Sequence, residues 1–158
     1  MSAASSDSVH VSDDGQIEYV TLTIADQLFG VPVSLIHDVF TPQTITPVPL
    51  APPEVAGVLN LRGRIVTAID ARVKLGLPPL EERSGCMAVG VERNGESYGI
   101  IIDGVGEVLK LGIDEYEPNP VNLDPRWQSV SQGVYRLKGD LLVALDIDQL
   151  LDWVSAAA

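Results

Sequence analysis

A chain of 158 residues is the size of one compact domain, long enough to bury about 68–70% of its unfolded surface, which argues against a multidomain enzyme. Hydrophobic residues at 46% against charged residues at 20% exclude disorder along the whole length. Lys+Arg 10 against Asp+Glu 22 leaves a net charge of -12, which repels phosphate backbones and anionic lipid and so argues against nucleic acid as a partner.

Residues Met1 to Gly15 are rich in Ser, Asp and Ala without periodicity, and are expected to form a disordered tail, 1–15. The first seven contain no Lys or Arg and no apolar run, so they lack the parts of a secretory signal. Glu18 to Ile24 alternates, with Val20, Leu22 and Ile24 on one face, and Ala25-Asp26-Gln27 turns it into Leu28 to Val33, a first hairpin. Ser34 to Val39 predicts one helical turn capped by Ser34. From Val39 to Pro53 the chain is uncharged, but five prolines exclude a spanning helix and keep the run extended. A soluble cytoplasmic chain, not inserted in a membrane, is therefore expected.

Val58 to Leu61 and Arg64 to Ile69 flank Arg62-Gly63, where glycine supplies the positive φ of a tight turn. Asp70 is placed to cap a short helix reaching Leu75. Cys86 to Arg93 and Glu96 to Asp103 flank Asn94-Gly95, a strong hairpin signal. A strand from Val105 to Leu111, a loop from Pro118 to Pro125, a hairpin turning at Lys138-Gly139-Asp140 and a helix from Asp146 to about Val154 complete the chain. Residues 155–158 form a second tail.

The chain also resembles itself. A shift of 76 residues lays Gly57 to Asp70 over Gly133 to Asp146 with six identities, Arg62 falling on Lys138. A weaker echo at a shift of 69 lays Phe29-Gly30-Val31 over Tyr98-Gly99-Ile100. Hairpins of this kind cannot bury an apolar face alone, so the expected fold is all-β, two pseudo-repeated small barrels with short helices.

Sites for chemistry were sought on spacing. His10, His37 and Cys86 are scattered with no metal-ligand spacing, and a single cysteine cannot form an intrachain disulfide. Asp146-Ile147-Asp148 opens like a calcium loop, but Leu150 and Leu151 fall where further ligands belong. Gly104-Val105-Gly106 lacks the third glycine of a dinucleotide loop, since Leu109 stands there. Ser34, His37 and Asp38 are triad residue types on one short segment that cannot align them. Glu81-Glu82 beside Arg83 reads as a solvated face. No catalytic residue, metal or cofactor is expected.

The segment Gly57-Val58-Leu59-Asn60-Leu61-Arg62-Gly63-Arg64-Ile65-Val66, with Asp70 and Arg72 beyond it, closely resembles the CheW family of bacterial chemotaxis coupling proteins. Gly99-Ile100-Ile101-Ile102-Asp103-Gly104-Val105 is similar to the family's second signature, and the likeness runs from about Glu18 to Trp153. It implies two five-stranded, SH3-like lobes in one domain over 16–154, intertwined along the chain. It also implies a non-catalytic adaptor, recruited to membrane-associated arrays, that joins the cytoplasmic hairpin tip of a chemoreceptor to the regulatory domain of the CheA histidine kinase. By resemblance a receptor helix lies in a groove between the lobes, lined at Ile36, Ile65, Val105 and Val108 and rimmed by Asp38 and Arg62. Asp38 stands where the family usually has Glu. For the kinase, Val31 and Val33 are the expected contacts, on the premise that the first hairpin exposes a strand edge. Two other readings are a small β-barrel enzyme, which would need converging titratable groups, and a generic SH3-like peptide binder. The second fits poorly with a chain that is 5% aromatic.

Overall fold

The computed structural model describes residues 15–42, 44–78 and 86–151. The expected tails at 1–14 and 155–158, the Glu81-Glu82 segment and the last residues of the C-terminal helix lie outside them. Gly15 is described, and its carbonyl accepts the Ile113 N–H at 3.0 Å.

In chain order the strands are β1 (Gln16–Ile24), β2 (Gln27–Pro32), β3 (Asp38–Phe40), β4 (Val55–Leu61), β5 (Arg64–Asp70), β6 (Met87–Arg93), β7 (Glu96–Ile102), β8 (Gly104–Gly112), β9 (Tyr116–Glu117), β10 (Ser131–Leu137) and β11 (Asp140–Leu145). Three one-turn helices join them: α1 (Ala71–Lys74), α2 (Pro125–Gln128) and α3 (Ile147–Leu150). One sheet is ordered β8-β1-β2-β11-β10-β9 and the other β3-β6-β7-β5-β4. The chain divides into two compact units, residues 36–105 and the discontinuous pair 1–35 with 106–158. The expected all-β, two-lobed architecture is the one observed, except that one sheet has a sixth strand, the two-residue β9.

Turn chemistry sets the hairpins. Ala25 and Asp26, Arg62 and Gly63, and Asn94 and Gly95 all have positive φ, the type I′ geometry whose twist matches paired strands. The first turn is therefore two residues long rather than three, and Gln27 pairs with Ile24. Among the described residues Lys138 is not left-handed, whereas its counterpart Arg62 is, with φ 51°. The helical turn expected over Ser34 to Val39 is instead a 3-10 turn at Val33–Leu35. Val39 is taken by β3, because three residues there find partners on β6. Pro125 opens α2 rather than closing a loop: proline suits a helix's first position, and the Asp124 side chain caps it.

The duplication is visible in the backbone. Gly57 and Gly133 sit at matching bulges in β4 and β10. Asp70 caps α1 and Asp146 caps α3. β5 runs parallel to β7 with Ala68 opposite Gly99, and β11 runs parallel to β2 with Ala144 opposite Gly30. The two sequence echoes thus describe one duplication, in which the hairpins follow a different chain order in each unit. Even β9 has a counterpart: Val134 pairs with Glu117, and Val58 pairs with Thr46 through two hydrogen bonds of 2.8 and 2.9 Å.

Each unit has its own core. In residues 36–105, Leu59, Val66, Ala68, Cys86, Ala88 and Ile101 pack together under Phe40 and Ile45. In the other, Ile17, Tyr19, Leu111, Tyr135 and Leu142 do so, and the Tyr19 and Tyr135 hydroxyls bond at 3.0 Å. Burial drives the Tyr19 phenol far above its usual pKa.

One position breaks the likeness between units. The carbonyl of Glu54 accepts from Asp70 N–H as that of Val130 accepts from Asp146 N–H, yet Oε1 of Glu54 is buried without a hydrogen-bond partner. An orphaned buried acceptor costs about 1–3 kcal/mol. Glu54→Val, which copies Val130, is expected to raise the unfolding free energy by about 1 kcal/mol, and a urea midpoint that stays put or falls would contradict it.

Candidate functional site

Arg62 rides on the β4–β5 turn, its left-handed backbone fixed by the two-residue connection and by Asn60 Oδ1 accepting Gly63 N–H at 2.9 Å. Asp38 begins β3, where His37 N–H donates to the Gly90 carbonyl at 2.7 Å. β3 and β4 are the two edge strands of their sheet. Even so, Nη1 of Arg62 donates to Oδ1 of Asp38 at 2.6 Å. Opposite edges can meet only if the sheet curls, and the Thr46–Val58 bridge fastens the same seam. The ion pair therefore sits where this unit closes on itself. It leaves most of the Arg62 fork in solvent, with the side chain 70% exposed against 26% for Asp38.

Of the other charged residues of the two signature motifs, Arg64 is exposed and donates through Nη2 to Ser97 Oγ at 2.6 Å, while Asp70, Arg72 and Asp103 turn inward. Asp70 Oδ1 accepts the N–H groups of Arg72 and Val73 at 3.0 and 3.3 Å, capping α1. The Arg72 fork grips Asp103 through Nε at 2.8 Å and Nη2 at 2.7 Å, and reaches the Pro78 carbonyl at 3.2 Å. This bidentate pair clamps α1 to the end of β7. Asp70, Arg72 and Asp103 are thus structural, and the Arg62 and Arg64 guanidinium groups are the signature charges held out to solvent.

Of the expected apolar lining, Ile65 stands on β5 just past the turn and is 66% exposed. It borders an open concavity of about 710 Å³ shared with Phe40, Val58, Leu59 and Leu61. Ile36 is half-buried between the 3-10 turn and β3, and Val105 is half-buried on β8. Val108, further along β8, is 52% exposed. The structure joins Asp38 to Arg62 and places Ile65 beside their turn. Phe40 and Leu61 pack on the core of their unit and also border this surface, a second face that no local sequence signal marks.

Val31 is corrected. It is fully buried, and β2 is an interior strand flanked by β1 and β11, so it has no free edge to offer. Val33, at the start of the 3-10 turn, is at the surface. Among the described residues no three His, Cys, Asp or Glu side chains converge as a metal site, and no helix is long and apolar enough to cross a membrane.

The family description of the CheW-like domain matches residues 18–155. The chain belongs to the CheW family. It is 29% identical over 140 residues to the chemotaxis protein CheW of Thermotoga maritima, covering 89% of this chain and 91% of that one. It is 24% identical over 141 residues to the chemotaxis protein CheW of Rhizobium meliloti, covering 89% and 90%. The scaffolding protein TtCheW of Thermoanaerobacter tengcongensis superposes with a TM-score of 0.76 at 25% identity, covering 85% of this chain and 87% of that one. As a CheW-family member the chain is a chemotaxis scaffold.

Proposed function

We propose that this chain is a non-catalytic adaptor that couples the cytoplasmic hairpin tip of a chemoreceptor to the CheA histidine kinase, working in the cytoplasm at receptor arrays. The observation that carries this reading is the pairing of an exposed isoleucine, Ile65, with an arginine fork held at the seam by Asp38. An apolar anchor beside a fixed cation suits a helix that offers aliphatic side chains and a carboxylate. Ile36, Val105 and Val108 are further candidates for receptor contact in this proposal, and Val33 is the residue retained for the kinase contact.

The test is reconstitution of the chain with a receptor cytoplasmic fragment and the kinase. The chain should form a ternary complex and raise receptor control of kinase activity. Val108→Asp should weaken binding to the receptor fragment several-fold or more, because a charge would be desolvated where an apolar side chain now stands. Unchanged affinity in a folded variant would remove Val108 from the site.

A further inference from the structure

Arg64 opens β5 just past Gly63, and its fork is held in a different way from that of Arg62. Arg62, Arg72, Arg126 and Arg136 each grip a carboxylate, at 2.6 to 2.9 Å. Arg64 makes no ion pair among the described residues, and its Nη2 donates instead to a neutral hydroxyl, Ser97 Oγ, at 2.6 Å. That bond gives the guanidinium a direction without cancelling its charge, and leaves the other donors of the fork for a further acceptor.

The duplication shows that the fold does not ask for this arrangement. Arg64 falls on Asp140 at the 76-residue shift, while Ser97 falls on Leu28 and Glu96 on Gln27 at the 69-residue shift. The pairing agrees, since Thr67 lies opposite Tyr98 as Val143 lies opposite Phe29. In that unit Leu28 packs on the core, and Gln27 Nε2 donates to the Leu141 carbonyl at 2.8 Å. In residues 36–105 the matching positions border a concavity of about 380 Å³, lined by Arg64, Ile65, Thr67, Gly95, Glu96 and Ser97. Glu96 has no donor with which to repeat the Gln27 bond, and its Oε1 accepts the Tyr98 hydroxyl at 2.9 Å. The same hairpin thus forms with an acid in place of the arginine, so the fork, the hydroxyl and the opening are additions to it.

Ile65 lines this concavity and the larger one of about 710 Å³ beyond it. A helix resting on Ile65 can therefore lower a side chain into each, because residues three or four apart share a helix face. We propose that the receptor helix sets an aspartate or glutamate side chain in the smaller concavity, its carboxylate on the Arg64 fork and the Ser97 hydroxyl. This inference rests on the receptor reading of the Ile65 surface. Charge complementarity selects the occupant: Arg64 is an oriented cation without a carboxylate of its own, whereas Arg62 already holds Asp38. Ser97 Oγ accepts from Arg64 and keeps its own proton to donate. Glu96 is the opposing charge on the lining, so the guest carboxylate approaches from the Arg64 side.

The test is titration of the full chain with a receptor cytoplasmic fragment. Arg64→Gln should weaken binding about tenfold, and Arg64→Asp, which copies Asp140, should weaken it further. Glu96→Gln should tighten binding, because it removes a repelling charge. Replacing each Asp or Glu of the fragment's tip by its amide, one at a time, should find one whose loss weakens the wild-type chain about tenfold yet leaves Arg64→Gln unaffected. Ile65→Asp tests the surface itself. If it binds as well as wild type, the receptor reading of this face falls and takes the carboxylate site with it. If Ile65→Asp weakens binding while Arg64→Gln does not, the carboxylate site alone is overturned. Weaker binding by Glu96→Gln, or amide replacements that affect wild type and Arg64→Gln equally, would also overturn it.

Discussion

Gly57→Ala is expected to lower the unfolding free energy by roughly 2–6 kcal/mol, the sum of two penalties of about 1–3 kcal/mol each. Gly57 has φ 147°, a backbone region closed to L side chains, at the bulge where β4 loses register with β5. A Cβ added there would fall on the Thr46 carbonyl and against Ile45. That carbonyl accepts the Val58 N–H in the bridge closing the seam, so it cannot retreat without breaking the bond. Gly63→Ala is the control. It shares a positive φ, 84°, but an added Cβ there meets nothing within 4 Å, so only strain of about 1 kcal/mol is expected. Urea unfolding of both variants checks this, and equal losses would show that the close approach to Thr46 does not matter.

Arg62→Ala is expected to weaken receptor binding by about 1–3 kcal/mol, the range for hydrogen bonds to a charged group, with a stability change within about 0.5 kcal/mol because the pair with Asp38 is largely in water. The duplication supplies the comparison. Lys138 occupies the matching place before Gly139, and Lys138→Ala should leave receptor affinity unchanged. The two turns differ in a way that sharpens the contrast. Arg62 is left-handed and tied to Asp38, which gives the fork a preferred direction, whereas Lys138 is not left-handed and makes no ion pair among the described residues. Lys also lacks the planar fork. Titrating a receptor fragment with each folded variant checks the prediction, and equal, negligible effects would make Arg62 an ordinary turn residue.

Much of the fold was written in local signals. Asn94-Gly95 and Arg62-Gly63 place two hairpins because few residue pairs accept positive φ twice. Asp70 caps its helix through atoms two and three residues away. The repeat at 76 residues lays Gly57 over Gly133 and Asp70 over Asp146, which the structure shows as matching bulges and matching helix caps. The signature around Arg62 identified the family.

The rest depended on partners far along the chain. β3 is three residues long and exists because β6, about 50 residues on, supplies its hydrogen bonds. Val31 resembles any valine of an alternating strand, and only its place between β1 and β11 buries it. The same holds for the site. The residue types of Asp38 and Arg62 are legible in sequence, but the 2.6 Å bond between them depends on a sheet curling until its edges meet. Local propensity determines turns and caps because their atoms are sequence neighbours, whereas closure of a barrel is decided by the burial of a whole face.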